Sequence, residues 1–376
     1  MSCGLTWYRR LALGALLLTF VVVVFGAYVR LADAGLGCPD WPGCYGQLSP
    51  AHVADLIRDA HAAAPTGPVS LPKAWKEMTH RYLAASLGLL IIAIALLAWH
   101  LRDSPRTAPR VALALVGVVI FQGLLGKWTV TLLLKPAIVT AHLLGGLTTL
   151  ALLAWLSLRA CGAWQLGQLQ ETHQGASRAG GVLPPGDVPP PGGRLRFGAR
   201  FAFILLVGQV ALGGWTSTNY AALACTDFPT CHGSFSPAAD YANAFHMVRE
   251  LGMTADGELL SNAALTAIHW SHRLGAVVAG GALLLLGWAL SRRRATFVLG
   301  IVLLAALGLQ IALGISNVWL SLPLPLAAAH NAGAALLVGV MVWINFRLGA
   351  PRAHPLPVTP RSPGATLAIA IKEARS

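Results

Sequence analysis

The residues of this sequence best suited to chemistry are four histidines that occur as two matched pairs. His80 and His142 lie in the first half of the chain, His272 and His330 lie in the second, and each falls within an apolar stretch. Neutral imidazole binds transition metals and exchanges protons near neutral pH. An ionisable group inside an apolar membrane helix is costly and usually serves a function. We therefore expect a functional site at these histidines rather than structural pairing of the rings.

The histidines belong to a tandem duplication of the chain. Residues 26–46, GAYVRLADAGLGCPDWPGCYG, align with residues 213–233, GGWTSTNYAALACTDFPTCHG, at a constant offset of 187. Three further matches follow in the same order: EMTHR at 77–81 with HWSHR at 269–273, Gln122–Gly126 with Gln310–Gly314, and His142 with His330. Matching His, Cys, Asp, Pro and Gln at a nearly fixed offset indicate an internal repeat, which matching leucines alone would not.

The composition is that of a protein that crosses a membrane several times. Charged residues make up 11% of the chain and hydrophobic residues 56%, with a mean hydropathy of +0.64, whereas soluble domains carry about a quarter charged residues. A membrane-spanning helix needs about 20 mostly apolar residues. Eight runs are long enough, near 11–29, 79–99, 111–131, 138–158, 201–218, 266–290, 297–320 and 325–346. We predict an all-α membrane protein in which eight transmembrane helices form two pseudo-symmetric four-helix bundles.

The net charge of +13 is explained by membrane topology rather than by nucleic-acid binding. With the N-terminus in the cytoplasm, about two thirds of the 27 lysines and arginines fall on the cytoplasmic side. Cytoplasmic loops carry such an excess of positive charge. Both termini are therefore predicted to be cytoplasmic, in a multi-pass protein of the bacterial cytoplasmic (inner) membrane with lipid as its surroundings.

The repeat and the composition divide the chain into four regions. Residues 1–160 and 201–346 are predicted to form the N-terminal and C-terminal four-helix bundles. Residues 161–200 contain the run VLPPGDVPPPGG, whose composition cannot bury a core and is typical of a flexible linker. Residues 347–376 are rich in Pro and Arg and are predicted to be a disordered cytoplasmic tail.

Four cysteines form two pairs with identical spacing on the predicted outer side of the membrane. Cys38 and Cys44 repeat as Cys225 and Cys231. Disulfides persist in oxidising compartments, and a zinc site would need closer cysteine pairs and more ligands nearby. We favour two short loops, each closed by its own disulfide, over free thiols or a metal site.

The predicted topology brings the histidines of each half together. The second, fourth, sixth and eighth helices all begin at the outer face, and each histidine lies within the first turn or two of its predicted helix. His80 and His142 should thus reach the same depth, as should His272 and His330. Two imidazoles that face each other across a four-helix bundle can hold a haem iron from both sides.

One neighbour of the histidines differs between the halves. Glu77 precedes His80 by three residues and lies on the same helix face, whereas the matching residue in the second half is His269. A carboxylate in a dry site can act as an acid or base, so one site could perform proton chemistry while the other carries electrons. The alternative for Glu77 is a surface residue at a helix start, where negative charge is favoured.

Two arginines directly follow the histidines of the second and sixth helices. Arg81 and Arg273 could bind haem propionates, because arginine can donate two parallel hydrogen bonds to a carboxylate. They could equally be anchors at the membrane interface.

Taken together, these motifs resemble the haem A synthase family. The resemblance rests on CPDWPGC after the first helix, EMTHR opening the second, HWSHR in the sixth, and single histidines in the fourth and eighth, and it covers roughly residues 10–346. Asp33 and Met78 depart from the residues expected of the family beside these motifs, at positions that ligate nothing.

The resemblance implies an oxidoreductase that converts a ring methyl of haem O, by successive hydroxylation, to the formyl group of haem A for terminal oxidases. It makes His80 and His142 the ligands of the substrate haem, and His272 and His330 the ligands of a haem b cofactor, with iron as the metal in both. It also makes Glu77 a catalytically important carboxylate. Cys38 and Cys44 match the loop cysteines of the family.

The same histidines would also fit a protein of another class. A non-catalytic di-haem cytochrome for electron transfer or quinol oxidation needs four histidine ligands too, although it has little reason for the difference between Glu77 and His269. A transporter with inverted repeats fits worse, because four helices per repeat makes the repeats parallel. Beyond haem O, the expected partners are a haem O synthase, an electron donor and further copies of this chain; nucleic acid is not expected.

Overall fold

The computed structural model describes residues 3–162 and 193–349, and within these ranges it is helical without strands. Eight long helices, named here α1–α8, have the length and apolar composition needed to cross a membrane. They span Cys3–Leu31 (α1), Leu71–His100 (α2), Pro109–Thr131 (α3), Pro136–Ala160 (α4), Gly193–Thr218 (α5), Asn262–Ser291 (α6), Phe297–Trp319 (α7) and Leu324–Gly349 (α8). The prediction of an all-α, multi-pass membrane protein with eight spans is confirmed.

The helix starts follow from local sequence. Proline occupies the first turn of α2, α3 and α4, where its missing N–H has no intrahelical partner to lose. At the start of α6, the Ser261 hydroxyl accepts a hydrogen bond from the Ala264 N–H at 3.2 Å, which satisfies one free donor of the first turn. These four helices therefore begin at residues suited to that position.

The same packing pattern occurs in both halves of the chain. In the first half, α1 packs against α2 and α4, and α3 packs between α2 and α4. In the second half, α5 packs against α6 and α8, and α7 packs between α6 and α8. The halves meet where α4 contacts both α5 and α8, and where α1 contacts α8. This pattern supports the prediction of two repeated four-helix units, whose relation by a symmetry axis stays a prediction.

The hydrophobic core is continuous across the boundary between the halves. Leu147 and Leu150 of α4 belong to one buried cluster with Leu206 of α5, Leu303 of α7 and Met341 of α8. A second cluster lies within the first half, between α1, α2, α3 and α4. Because apolar side chains from both halves share one core, the relative position of the halves is set by direct packing.

Polar contacts also join the halves, at the end of the protein that carries the cysteine loops. Arg30 at the end of α1 donates hydrogen bonds of 3.2 Å to the carbonyls of Ser217 and Thr218, and its guanidinium lies 4.1 Å from the centre of the Tyr220 ring. The Tyr220 hydroxyl donates to Asp33 at 2.7 Å. The ends of α1 and α5 therefore lie side by side.

Several helices extend beyond the predicted apolar runs. α5 begins at Gly193, inside the segment predicted as linker over 161–200, and α8 continues to Gly349, past the predicted start of the tail at 347. α2 and α6 begin at Leu71 and Asn262, whereas their predicted apolar runs begin near 79 and 266. Hydropathy detects only the apolar part of a helix, whereas backbone hydrogen bonding continues into polar residues. The Pro/Gly-rich centre of the linker and the tail beyond residue 349 lie outside the described residues.

Candidate functional site

Each of the four histidine rings packs against a glycine of a neighbouring helix. A Cβ atom placed on Gly26 would lie 2.7 Å from Cε1 of His80, and one on Gly126 would lie 3.5 Å from Cε1 of His142. The second half repeats the arrangement. A Cβ atom placed on Gly213 would lie 3.0 Å from Cε1 of His272, and one on Gly314 would lie 3.1 Å from Cε1 of His330. The glycines provide the space that the imidazoles occupy, at repeat-equivalent positions.

The structure brings the histidines together in the expected pairs. His80 lies near enough to His142 for their charges to interact, and His272 has the same relation to His330. His142 and His330 lie in the second turn of α4 and α8, as predicted. His80 and His272 lie in the third turn of α2 and α6, because those helices start earlier than predicted.

The paired rings fit the ligation of a haem iron. All four histidines are partly buried, and the Nδ1 atoms of His80, His142 and His330 are enclosed without a hydrogen-bond partner. Buried polar atoms are normally paired, so rings whose Nδ1 makes no protein hydrogen bond are not placed there to tie the helices together. Each pair of rings would hold one haem through its iron.

Both cysteine loops are closed by disulfides. Cys38 is bonded to Cys44 and Cys225 to Cys231, with Cα–Cα distances of 4.9 and 4.8 Å. All four cysteines are fully buried. The predicted pairing within each loop is confirmed.

Glu77 is buried and holds the first disulfide loop on α2. Its carboxylate accepts a hydrogen bond of 2.9 Å from the Cys38 N–H and forms a 2.5 Å ion pair with Arg81 one turn later. The residue is only 6% exposed, so the alternative of a surface residue at a helix start is wrong. Glu77 lies one turn from His80 on the same helix, between the histidine and the loop.

His269 occupies the equivalent position in the second half with less complete bonding. Its Nδ1 lies 3.2 Å from the Cys225 N–H and its Nε2 lies 3.2 Å from Nε of Arg273. A neutral imidazole accepts a hydrogen bond at only one ring nitrogen, whereas a carboxylate accepts at both oxygens. Glu77 therefore satisfies two donors where His269 satisfies one, and only Glu77 supplies negative charge.

Arg81 and Arg273 bind the disulfide loops. Arg81 donates to the carbonyls of Asp40, Pro42 and Gly43. Arg273 donates in the same way to three carbonyls of the second loop, those of Asp227, Thr230 and Cys225. The guanidinium groups are thus directed to the loop backbone, a role that the sequence alone does not predict.

An aspartate closes the turn in each loop. Asp40 accepts hydrogen bonds from the N–H groups of Tyr45 and Gly46 at 2.6 and 2.7 Å. Asp227 accepts in the same way from the N–H groups of His232 and Gly233. Hydrogen bonds from the Thr230 hydroxyl and from the Gly233 N–H hold the pKa of Asp227 well below its ordinary value. The loops therefore share one hydrogen-bonding scheme.

Sequence reasoning missed one polar residue at the histidine sites. Gln209 of α5 places its amide Nε2 3.0 Å from Nδ1 of His272. The signal was present in the sequence, because an amide in the middle of an apolar run is unusual. Gln122 and Gln310 were recognised only as part of the repeat; Gln310 Nε2 lies 3.4 Å from Nε2 of His330.

Comparison with known proteins places this chain among relatives of one family. The family COX15-CtaA, described as cytochrome oxidase assembly protein, matches residues 9–342. The heme A synthase of Shewanella oneidensis is 40% identical over 344 residues, which cover 92% of this chain and 96% of the relative. Heme A synthases of Nitrosospira multiformis and Novosphingobium aromaticivorans are 28% and 29% identical, each over 356 residues; these cover 88% of this chain and 90% and 92% of the relatives. This chain, with its two disulfide loops and paired histidines, therefore belongs to the COX15-CtaA family of cytochrome oxidase assembly proteins.

Proposed function

We propose that this chain is a haem A synthase, an oxidoreductase that converts a ring methyl of haem O to the formyl group of haem A. One observation carries the proposal. The two halves repeat the same histidine pair on the same helices, and the residue one turn away is Glu77 in one half and His269 in the other. Two haem sites with one chemical difference suit an enzyme that needs a reacting haem and an electron-carrying haem. The names of the relatives support this proposal.

The first half is proposed to hold the substrate. His80 and His142 would hold haem O through its iron and so orient it within the bundle. The oxidation releases protons, and the carboxylate of Glu77 is the group beside His80 that can accept one. A negative charge there also stabilises positive charge that develops on the carbon being oxidised.

The second half is proposed to hold the resident cofactor, haem b. His272 and His330 would hold it through its iron, and the haem would supply reversible one-electron chemistry when bound. His269 replaces the carboxylate in this half, which leaves the site without an acidic group one turn from His272. The continuous core between the halves keeps the two sites at a constant separation.

The membrane orientation follows from the loops and the charges. We propose that the loop end of the protein faces outward, where its disulfides persist, and that both termini lie in the cytoplasm of a bacterium, by the positive-inside rule. The domain division is the proposed one: an N-terminal substrate bundle and a C-terminal cofactor bundle joined by a cytoplasmic linker. A haem O synthase and an electron donor are the proposed protein partners.

The proposal is tested by the haems that the purified protein contains and makes. The protein is expressed in cells that produce haem O and lack an enzyme for haem A, and its haems are extracted and separated by chromatography. Haem b together with haem O or haem A is expected on the protein, and haem A is expected in the membranes. Haem b alone, with no haem A formed, would identify an electron-transfer cytochrome and overturn the proposal. A variant carrying His80→Ala is the control, because it should keep haem b and form no haem A.

A further inference from the structure

A glutamine on α5 contacts one histidine of the second pair. The Gln209 amide Nε2 lies 3.0 Å from Nδ1 of His272 and 3.0 Å from the carbonyl oxygen of the same residue. The amide fits because the next turn of α6 carries Gly275: a Cβ there would lie 2.4 Å from Oε1 of Gln209. Gln209 and Gly275 therefore form a complementary pair beside the imidazole.

The first half has no counterpart to this contact. At the repeat-equivalent positions it carries Val22 in α1 and Leu83 in α2, neither of which can hydrogen-bond through its side chain. Nδ1 of His80 is accordingly enclosed without a partner. The two halves thus share the histidines and the adjacent glycines but differ in the group that contacts Nδ1 of the α2 or α6 histidine.

The amide has an unused acceptor suited to a metal-bound histidine. An imidazole that binds iron through Nε2 carries its proton on Nδ1 and donates it to a neighbouring acceptor. Oε1 of Gln209 is buried and has no hydrogen-bond partner. The orientation of an amide is assigned from its surroundings, and a half-turn exchanges its oxygen and nitrogen. After that turn, Oε1 accepts from Nδ1–H of His272, and the amide nitrogen gives up its hydrogen bond to the His272 carbonyl in exchange for this contact.

We propose that Gln209, in the space left by Gly275, is a positioning residue that makes the second histidine pair retain its haem, while the lack of such a residue beside His80 leaves the first pair able to exchange haem. The proposal rests on the proposed function, which places a haem in each half. A hydrogen bond from Nδ1–H fixes the ring orientation and makes the imidazole a stronger ligand. A resident cofactor benefits from such a bond, whereas a substrate has to leave as product.

The first experiment converts the second site to the residues of the first. The double variant Gln209→Val with Gly275→Leu is purified with its haem b, and two quantities are measured: the rate of haem transfer to apomyoglobin and the midpoint potential. Outer partners of metal-bound histidines affect metal affinity by about 10- to 100-fold. We expect haem b loss to accelerate by about 10-fold or more, and the potential to rise, because a weaker imidazole donor stabilises ferric iron less.

The conservative variant Gln209→Glu separates hydrogen bonding from packing. It keeps an acceptor of the same length, so haem b should remain bound and the midpoint potential should not rise. If the double variant loses haem b at the wild-type rate and with the wild-type potential, the proposal is wrong, although the proposed function stands. If the wild-type protein holds no haem on His272 and His330, the proposed function itself fails.

If the double variant does not fold, the reciprocal exchange tests the same proposal. Val22→Gln with Leu83→Gly gives the first half the residues of the second, and haem O on the protein is followed by chromatography. Haem O should leave the variant about 10-fold more slowly than wild type, with less haem A released per unit time. Unchanged haem O loss from the folded variant would contradict the proposal.

Discussion

The backbone N–H of Cys38 donates a 2.9 Å hydrogen bond to the buried carboxylate of Glu77. This contact joins the proposed catalytic group to a loop that is closed by a disulfide and clamped by Arg81. The position of the carboxylate therefore depends on the loop as well as on α2. In the second half His269 contacts the Cys225 N–H at 3.2 Å, so the loop attachment is common to both halves and the charge is not.

Replacing Glu77 by Gln should abolish haem A formation without removing haem b. Gln keeps the size of the side chain but not its charge, and Arg81 retains three loop carbonyls as acceptors, so the variant should fold. Chromatography should show haem O or a hydroxylated intermediate in place of haem A. Haem A formation at the wild-type rate would show that Glu77 serves only to attach the loop.

A matched variant, Glu77→His, distinguishes the charge from the loop attachment. It introduces the residue that the second half uses at this position, which contacts the loop N–H through one ring nitrogen. We expect an intact loop, normal haem b and no haem A. Restored haem A formation in Glu77→His would show that loop attachment is sufficient.

Variants of the two histidine pairs should differ in which haem they lose. His272→Ala or His330→Ala should strongly lower the haem b content, because each removes one of the two residues proposed to hold that haem. His80→Ala and His142→Ala should leave haem b in place and lower only haem O. The absorption spectrum and the extracted haems provide the measurement. Full haem b with an unchanged low-spin spectrum in both second-half variants would refute the assignment.

Adding a methyl group at Gly26 should disturb the first histidine site selectively. In Gly26→Ala the new Cβ would lie 2.7 Å from Cε1 of His80, so the ring or α1 has to move, at a cost of about 1–3 kcal/mol. The haem O content should fall while haem b stays. Gly14→Ala on the same helix is the control, because a Cβ there has nothing within 4 Å. An equal haem O content in Gly26→Ala and Gly14→Ala would contradict the close packing of His80 against Gly26.

Removing the first disulfide should loosen the loop that holds Glu77. Cys38→Ser with Cys44→Ser opens a short loop, which the chain-entropy estimate values at about 2–3 kcal/mol. Haem A formation should fall while haem b bound by the second half remains. Peptide mapping of the unreduced wild-type protein should show two local bridges, and alkylation of all four loop cysteines without reduction would argue against them.

Features that depend on residues close together in sequence could be predicted. A membrane helix is defined by a continuous apolar run, so the eight spans were apparent, while their polar ends at Leu71 and Asn262 were not. Cysteines six residues apart reach each other whatever surrounds them, so the disulfides followed from spacing and compartment. The pairing of His80 with His142 followed because repeated topology places both at one end of a bundle.

Features that depend on packing between helices needed the tertiary structure. The sequence by itself determined the repeat, the eight membrane-spanning runs and the histidine pairs, since these follow from periodicity and residue type. Only the structure showed that Arg81 clamps the first loop, that Gly26 receives the ring of His80, and that Gln209 contacts His272. The physical reason is that a hydrogen bond or a close approach between helices depends on their relative rotation and depth, which arise from the whole packed core and leave no periodic trace in either helix.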